Sequence, residues 1–168
     1  MSVIDYKYTS NGLAVTPFSL LDDERLLQIL RVRNDERIRQ WMDSQDEISL
    51  EDHLRFCQGM KGRDDAIYCA VESDDALIGV IYLTGIDPQH GIAELGLYKN
   101  PTISTTEKNI GERLMAILEG TAQSVGIQTL LLRVRLDNKR AITLYEKVGY
   151  AVTEQGRTHL HMKKEIPQ

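Results

Sequence analysis

The segment from residue 129 to residue 150 changes its hydrophobic period from two residues to about four, and this change strongly limits the folds open to the chain. Alternate positions of its first part are apolar: Leu130, Leu132, Val134 and Leu136. Its second part is apolar at helical spacing: Ala141, Leu144, Tyr145 and Val148. The first pattern predicts a strand and the second a helix, with Asp137 or Asn138 able to cap the first turn. A second strand is expected to begin near Tyr150.

Three short helices are predicted in the first third of the chain, after a strand at LAVTPF. The stretch LDDERLLQIL has acids in its first turn and leucines at helical spacing. Asn34 is expected to cap a second helix. That helix would carry three apolar side chains on one face: Ile38, Trp41 and Met42. Ser49 and Asp52 form a capping-box pattern, which predicts the start of the third helix.

The middle of the chain has the pattern of three strands and one long helix. AIYCAV and LIGVIYLTGI are β-rich runs separated by a gap of hairpin length, and IAELGLY follows as a third strand. A long amphipathic helix is predicted from Ile110, with its end at Gly126. This order predicts an α+β (mixed α/β) fold in which helices flank a central mixed sheet. No repeat or linker divides the chain, so residues 1–168 are expected to form one domain.

Composition and charge exclude several classes of function. The formal net charge is -5 and no basic block is present, so a nucleic-acid-binding surface is not expected. No apolar run approaches the roughly 18 residues of a membrane span and no signal segment is evident, which predicts a cytoplasmic protein with no membrane partner. Cys57 and Cys69 lack a CxxC spacing and are expected to be reduced core thiols. His159 and His161 share a strand face without a third ligand, so no metal site is expected.

Several motifs occur in the order found in one enzyme superfamily. DNKRAITLYEKVGY fits the pattern Asn-x-x-Ala-x-x-x-Tyr-x-x-x-Gly-Phe/Tyr, and the chain resembles the GNAT N-acetyltransferases over most of its length. Four shorter segments are most similar to the sugar-nucleotide N-acetyltransferases of pseudaminic acid biosynthesis: RNDERIRQWM, ISLEDHLRF, GVIYLTGID and ELGLYKNP. Those enzymes acetylate a UDP-linked 4-amino-4,6-dideoxy sugar on the route to flagellin glycans. The resemblance implies a GNAT-type central mixed sheet, acetyl-CoA as cosubstrate, a sugar-nucleotide acceptor and no metal.

The resemblance also implies where acetyl-CoA lies. In the superfamily, the strands that match IAELGLYKN and TLLLRVRLD run parallel and splay apart, and their unpaired backbone groups bind the pantetheine arm as another strand would. The implied contacts on the first strand are Leu97, Tyr98 and Lys99. A backbone N–H there, most simply that of Leu97, would polarise the thioester carbonyl, and such a donor is typically worth about 10² to 10³ in rate.

Tyr145 is the implied general acid for the departing thiolate. A phenol with a reference pKa of about 10 keeps its proton at neutral pH, as an acid requires. The alternative is a core tyrosine whose hydroxyl is satisfied nearby. Asn138 also has two interpretations, a helix cap or a residue beside coenzyme A. Glu94 shares a strand face with Gly96 and Tyr98, and it is either a candidate general base or a carboxylate in a rim salt bridge.

The pyrophosphate loop departs from the superfamily pattern. The signature Gln/Arg-x-x-Gly-x-Gly/Ala corresponds to TEKNIG, in which only Gly111 fits. The residues implied to bind coenzyme A here are Thr106, Glu107, Lys108, Asn109, Ile110, Gly111 and Glu112. Asn109 replaces a glycine and tolerates left-handed backbone geometry better than most residues. Two carboxylates oppose phosphate and one lysine favours it, but backbone N–H groups at a helix N-terminus still bind anions; the alternative is an ordinary helix start.

The acceptor side is implied by the segments that resemble the sugar-nucleotide enzymes. Arg33 is a candidate for bidentate pairing with a diphosphate, and His53 is a candidate for donating to it. Thr84 lies on a strand that would form part of the same wall. Trp41 stands in these segments too, but it is more typical of a core residue.

Three hypotheses about function follow. The first is N-acetylation of a sugar nucleotide. The second is a GNAT enzyme acting on a protein N-terminus or a small polyamine, because a fold does not determine the acceptor. The third is an inactive coenzyme A-binding module, suggested by the altered TEKNIG loop. The expected partner is a small-molecule amine, and association into a homodimer is left open.

Overall fold

The computed structural model describes residues 4–103 and 105–168, which form eight strands, five α-helices and one short 3-10 helix (Phe18–Leu20). The strands are β1 (Tyr8–Ser10), β2 (Leu13–Pro17), β3 (Ile67–Ser73), β4 (Ala76–Asp87), β5 (Ile92–Lys99), β6 (Thr129–Arg135), β7 (Ala151–Gln155) and β8 (His159–Glu165). The helices are α1 (Asp23–Asn34), α2 (Glu36–Arg39), α3 (Leu50–Gly59), α4 (Ile110–Ser124) and α5 (Lys139–Lys147). Within the described ranges, none of these helices combines the length and apolar character needed to cross a bilayer.

The strands form one sheet in the order β1-β2-β3-β4-β5-β6-β8-β7. Neighbouring strands are antiparallel, with the exception of the parallel pair β5 and β6. This arrangement confirms the predicted mixed sheet flanked by helices. The short strand β1 was not predicted, because three residues are too few to show an alternating pattern.

The parallel strands part soon after they meet. β5 and β6 pair at three positions: Ile92 with Thr129, Ala93 with Leu130, and Glu94 with Leu131. β5 then continues to Lys99 and β6 to Arg135 with no further pairing between them. The expected splayed strands are therefore present, and the backbone of β5 beyond Glu94 borders a gap on its β6 side.

Helices cover both faces of the sheet and bury two cores. The core under α4 and α5 includes Leu83, Leu95, Leu114, Ile117, Leu118, Leu130, Leu132 and Tyr145. The core under α1 and α3 contains Phe18, Leu26, Ile29, Val32, Cys57, Ala70, Leu77, Val80 and Tyr98. Because side chains alternate along β5, Leu95 faces the first core and Tyr98 the second. Cys57 and Cys69 are buried and unpaired, as expected.

The start of α2 differs from the prediction, while the start of α3 agrees with it. Asp35, not Asn34, caps α2 by accepting a hydrogen bond from the backbone N–H of Arg37 over 2.9 Å. Asn34 is still helical at the end of α1, and its side-chain amide forms two hydrogen bonds of 2.8 Å with the backbone of Ile48. α2 is also too short to contain two of the apolar positions assigned to it. Ser49 caps α3 as predicted.

Candidate active site

A cavity of about 700 Å³ opens on the sheet face covered by α1 and α3, beside the gap between β5 and β6. Residues 41–48, here called the rim segment, form one side of its mouth. The structure brings predicted site residues from distant parts of the chain into the wall of this cavity: Arg33, His53, Thr84, Glu94, Leu97, Tyr98, Asn138 and Tyr145. Trp41, which was expected to be a core residue, also lines it. Lys99 and the loop 106–112 do not line it.

Tyr145 is held in the cavity wall by α5. Asn138 caps this helix, since its Oδ1 accepts a hydrogen bond from the backbone N–H of Ala141 over 3.3 Å. The ring of Tyr145 packs beside Tyr150, and the residue is only 8% exposed. Burial raises the pKa of Tyr145 to about 12. Among the described residues no group is hydrogen-bonded to its hydroxyl, so the protonated phenol has no acceptor within that part of the protein.

Glu94 lies in a salt bridge at the mouth of the cavity. Its Oε1 accepts a hydrogen bond from Nε of Arg133 over 3.0 Å, and its side chain is 39% exposed. Nη2 of Arg133 also donates to Asp43 of the rim segment over 2.7 Å. Nε2 of His159 lies 3.8 Å from the second oxygen of Asp43. This network contains the rim salt bridge that was one interpretation of Glu94, and its role as a base stays a prediction.

Arg33 reaches the acceptor side of the cavity with part of its guanidinium unoccupied. Nη2 donates to the carbonyl oxygen of Ser44 in the rim segment over 3.1 Å. Nη1 is buried and has no hydrogen-bond partner among the described residues. A buried N–H without an acceptor is costly, so this position favours a ligand with an anionic or carbonyl group. Thr84 lies on the same sheet face, opposite Glu94 in the β4–β5 ladder.

His53 forms a hydrogen bond within the protein instead of the predicted contact with a diphosphate. It is 5% exposed, and its Nε2 lies 2.8 Å from the carbonyl oxygen of Leu26, which requires a proton on Nε2. Burial lowers the pKa of His53, so the ring is neutral and Nδ1 carries a lone pair. A neutral ring that donates to Leu26 has no second proton to give to a diphosphate. His53 instead ties α3 to α1.

Four acidic side chains of the cavity lining were not predicted: Asp43, Asp46, Glu47 and Asp52. Glu94, which was predicted, is the fifth carboxylate of the lining. The guanidinium groups that line it are those of Arg33, Arg133 and Arg135. The run DSQDE was visible in the sequence, but nothing local places it beside β5. Within residues 4–103 and 105–168, no group of three or more potential ligands is arranged to hold a metal ion.

The loop before α4 contains the left-handed residue that was expected. Asn109 precedes the helix with φ 55° and ψ 40°, and its side chain makes no capping hydrogen bond. The first backbone N–H groups of α4 therefore have no side-chain cap, which suits an anion. Thr106 and Lys108 are exposed, whereas Ile110 packs against the core.

Glu107 is paired within the protein. Its Oε1 accepts a hydrogen bond from Oγ of Ser73 over 2.8 Å, and its other oxygen pairs with Arg113. Arg113 also donates to the carbonyl oxygen of Asn11 over 2.7 Å, which ties the loop to the turn between β1 and β2. The hydrogen bonds from Arg113 and then from Ser73 lower the pKa of Glu107. A carboxylate paired in this way opposes a nearby phosphate less than a free one does.

Gly111 and Glu112 join the start of α4 to α5. A Cβ at Gly111 would lie 3.1 Å from Cδ2 of Leu144, so a side chain there requires the leucine to move. Lys147 donates to Oε1 of Glu112 over 2.8 Å. Since Leu144 directly precedes Tyr145, the loop before α4 and the tyrosine belong to one packed unit.

Tyrosines on three neighbouring strands line the cavity: Tyr68, Tyr82 and Tyr98. Tyr68 and Tyr82 are opposite each other in the β3–β4 ladder and stack at a centroid distance of 4.9 Å and an angle of 8°. Tyr82 also lies opposite Gly96 in the β4–β5 ladder. Tyr68 and Tyr82 were not predicted to lie at the site, because the register that brings them to the cavity depends on strand pairing.

The strand order and the parted β5 and β6 agree with the resemblance found in the sequence. The family described as Acetyltransferase (GNAT) matches residues 26–150, which is more than half of the chain. The chain belongs to the GNAT acetyltransferase family. This membership confirms the prediction of an acetyl-CoA-dependent N-acetyltransferase.

Two named relatives illustrate the range of similar proteins. This GNAT acetyltransferase is 28% identical to Acetyltransferase PseH of Campylobacter jejuni subsp. jejuni serotype O:23/36 (strain 81-176) over 146 residues, which cover 86% of this chain and 88% of that protein. The crystal structure of Campylobacter jejuni N-acetyltransferase PseH in complex with acetyl coenzyme A has a TM-score of 0.73 at 22% identity, and the match covers 92% of this chain and 99% of that chain. The spermidine N-acetyltransferase from Vibrio cholerae, solved in complex with CoA and spermine, has a TM-score of 0.81 at 18% identity over 94% of this chain and 97% of that chain. At these identities the two structures establish a shared fold.

Proposed function

We propose that this GNAT acetyltransferase transfers the acetyl group of acetyl-CoA to the amine of a UDP-linked 4-amino-4,6-dideoxy sugar. The observation that carries the proposal is the end of β5–β6 pairing at Glu94 and Leu131, beside a cavity with Tyr145 in its wall. The free backbone of β5 offers donors and acceptors to the cosubstrate. The cavity would let the amine substrate reach the gap between β5 and β6, where the thioester is proposed to lie.

The cosubstrate is assigned to the gap and to the start of α4. Backbone groups near Leu97 and Lys99 would bond the pantetheine arm as a neighbouring strand does. The uncapped N–H groups at the start of α4 would bind the pyrophosphate, supported by the left-handed turn at Asn109. Asn138 is a helix cap whose side chain also lines the cavity, so a second contact to coenzyme A is compatible with its position.

The chemical step needs a polarised carbonyl and a proton for the thiolate. The acceptor nitrogen attacks the thioester carbon, and the backbone N–H of Leu97 would stabilise the negative charge that develops on the oxygen. As the C–S bond breaks, the hydroxyl of Tyr145 gives its proton to the sulfur. The high pKa of Tyr145, about 12, keeps the phenol protonated until that moment. Tyr145 then regains a proton from solvent at the cavity mouth.

The amine must lose a proton before or during attack. Glu94 is the carboxylate nearest to the β5–β6 gap along β5, but Arg133 occupies one of its oxygens. We therefore propose that water at the cavity mouth takes the proton from the amine. Glu94 is the alternative base if its contact with Arg133 opens.

The class of acceptor is proposed from the similarity to PseH and from the position of Arg33. The similarity to PseH supports the sugar-nucleotide class. The buried Nη1 of Arg33 lacks a partner among the described residues, and a diphosphate oxygen is a suitable acceptor for it. Trp41 and Thr84 line the same cavity and would contact the rest of this ligand.

A cationic amine such as a polyamine is the second candidate. The carboxylates of the rim segment, Asp43, Asp46 and Glu47, would attract such a ligand and repel a diphosphate. The fold shared with the spermidine N-acetyltransferase is compatible with either acceptor. The carboxylates at the mouth thus favour a cationic amine, and the buried Nη1 of Arg33, which lacks a partner among the described residues, favours a sugar nucleotide.

The deciding experiment measures release of the coenzyme A thiol with three amines at equal concentration: the UDP-4-amino-4,6-dideoxy sugar, spermidine and a peptide with a free N-terminal amine. The matched control is the same sugar nucleotide with a hydroxyl in place of the amine, which can bind but cannot be N-acetylated. We expect the highest kcat/KM with the amino sugar. A higher value with spermidine would select the second candidate, and no thiol release with any amine would contradict acetyl transfer to these classes.

A further inference from the structure

The ring of Tyr82 lies across the backbone of Gly96. The two residues are opposite each other in the β4–β5 ladder. A Cβ on Gly96 would be 2.1 Å from Cζ and 2.3 Å from the hydroxyl oxygen of Tyr82. Real atoms cannot approach so closely, so the phenol end of the ring occupies the space of the missing side chain. Glycine at 96 is therefore required for the position that this hydroxyl takes.

Packing from the opposite side holds the Tyr82 ring in this orientation. Tyr68 stacks on it with nearly parallel planes, at a centroid distance of 4.9 Å. Phe56 of α3 meets Tyr68 edge to face at 4.9 Å, which fixes the stack against the helix. A ring confined by a stacked neighbour and a strand backbone presents its hydroxyl in one place.

That place is at the divergence of the parallel strands. Gly96 is two residues beyond Glu94, the last residue of β5 that pairs with β6. It immediately precedes Leu97, whose N–H is assigned to the thioester carbonyl. Among the described residues no group is hydrogen-bonded to the Tyr82 hydroxyl, and Tyr82 lines the cavity. Burial, followed by the neighbouring phenols of Tyr68 and Tyr145, holds the pKa of Tyr82 well above its usual range, so the hydroxyl is neutral.

We propose that the hydroxyl of Tyr82 binds the acceptor at its reactive end, accepting a hydrogen bond from the amine N–H and aiming the nitrogen lone pair at the thioester carbon. This inference rests on the proposed acetyl transfer. A neutral phenol at this point lacks the charge to act as a base, but its oxygen can orient an amine that is already neutral. Orientation of the attacking atom lowers the barrier because the bound geometry approaches that of the reaction. Tyr82 would therefore favour amines that carry an N–H and are presented from the cavity.

The first test is Tyr82→Phe, which keeps the stacked ring and deletes the hydroxyl. Loss of one neutral hydrogen bond corresponds to a fall of about 3- to 10-fold in kcat/KM for the amine. The KM for acetyl-CoA should stay within a factor of two, since only the acceptor side is changed. Tyr6→Phe is the matched control, because it removes an exposed phenol hydroxyl elsewhere. A fall of less than threefold for Tyr82→Phe would overturn the proposal.

The second test is a double-mutant cycle with Gly96→Ala. The added methyl group collides with the ring and must displace the hydroxyl, so kcat/KM for the amine should fall at least as far as in Tyr82→Phe. Once the hydroxyl is displaced, adding Tyr82→Phe to Gly96→Ala should have little further effect. Fully additive effects would show that the hydroxyl does not act from its place over Gly96. If Gly96→Ala does not fold, Tyr82→Phe alone decides.

Failure of the Tyr82 proposal can be distinguished from failure of the proposed sugar-nucleotide acceptor. The tests use whichever amine the wild-type protein acetylates fastest, so a polyamine result would overturn the sugar-nucleotide assignment and leave the Tyr82 test intact. If wild type and Tyr82→Phe acetylate the amino sugar equally well, the Tyr82 proposal is overturned and the sugar-nucleotide assignment remains.

Discussion

Nε of Arg133 donates to Glu94 over 3.0 Å while Nη2 of the same guanidinium donates to Asp43 over 2.7 Å. Arg133 therefore joins β5 to the rim segment across the cavity mouth. A carboxylate engaged in this way is poorly placed to take a proton from an amine, because one of its oxygens already faces a cation. Tyr145, by contrast, has a hydroxyl without a partner among the described residues, which makes it the sharper target for mutation.

Tyr145→Phe should lower kcat by about 10² to 10⁴, because general acid catalysis typically contributes that much. The ring and its packing beside Tyr150 are kept, so the melting temperature should change little. Acetyl-CoA binding, measured by calorimetry, should persist. Retention of more than about half of the wild-type kcat, with chemistry shown to be rate-limiting, would make Tyr145 a core residue and water the proton donor.

The pH dependence of the wild type should lack a descending limb up to about pH 10. The pKa of Tyr145 is raised to about 12, so the acid remains protonated over this range while the acceptor amine becomes more nucleophilic as it loses its proton. Because burial disfavours the phenolate, the stability of the folded protein is complete below the unfolded pKa of about 10 and is lost as pH rises through the folded value. A kcat/KM profile from pH 6.5 to 10 checks this, with circular dichroism as the control for folding. A descending limb between pH 7 and 9 would argue against Tyr145 as the acid.

Asn109→Gly and Asn109→Ala form a matched pair that separates backbone conformation from side-chain contact. The φ of 55° suits glycine, whereas alanine there costs roughly 1–2 kcal/mol. We expect the glycine variant to keep the acetyl-CoA KM and the alanine variant to raise it, with a corresponding loss of stability in urea. An equal rise of KM in both variants would indicate that the amide side chain itself contacts the cosubstrate.

Arg33→Ala should raise the KM of the sugar nucleotide about 10- to 100-fold, as expected for the loss of a hydrogen bond between charged groups. The KM of acetyl-CoA should be nearly unchanged, because Arg33 lies on the acceptor side of the cavity. Steady-state kinetics with each substrate varied in turn gives both values. Equal changes in the two constants would point to general damage, since Arg33 also holds Ser44 of the rim segment.

His53 should make the protein less stable as pH falls from about 7 toward 5. Its folded pKa is depressed by burial, so its contribution is present above the unfolded value of about 6.5 and is lost as pH falls through the lower folded value. His53→Gln keeps a donor for the carbonyl of Leu26 but does not titrate, so its free energy of unfolding should depend less on pH. Urea titrations at pH 5 and 7 compare the two proteins. Parallel pH dependences would show that His53 does not titrate on unfolding.

Local signals predicted the elements that depend on their own residues. The helix capped by Asn138 follows from side chains and periodicity within a few positions. The left-handed residue at Asn109 agrees with its place in the family signature, where it replaces a glycine. The family motif directed attention to Tyr145, and the structure places that residue in the cavity wall. In these cases the determining interactions are close in sequence or contained in a motif.

Side-chain contacts between segments far apart in the sequence could not be predicted from local sequence patterns. Asn34 resembles a helix cap, yet it binds the backbone of Ile48 fourteen positions later. The partner of His53 is a carbonyl on another helix, which no side-chain pattern reveals. Tyr82 meets Gly96 only because β4 and β5 pair in one particular register. Such contacts depend on three-dimensional packing, so they appear only when the strands and helices are assembled.

The contact between Gly111 and Leu144 shows that the positions of this binding signature place different physical requirements on their residues. At position 111 the requirement is for empty space, and no residue larger than glycine meets it without moving Leu144. At position 109 the requirement is a left-handed backbone conformation, which asparagine adopts as well as glycine does in this signature. Thr106 is exposed, so its identity is not constrained by packing. A profile that demands a literal glycine at 109 would overlook such sequences, whereas one that accepts any left-handed-tolerant residue there and a small residue, glycine or alanine, at 111 would retrieve them.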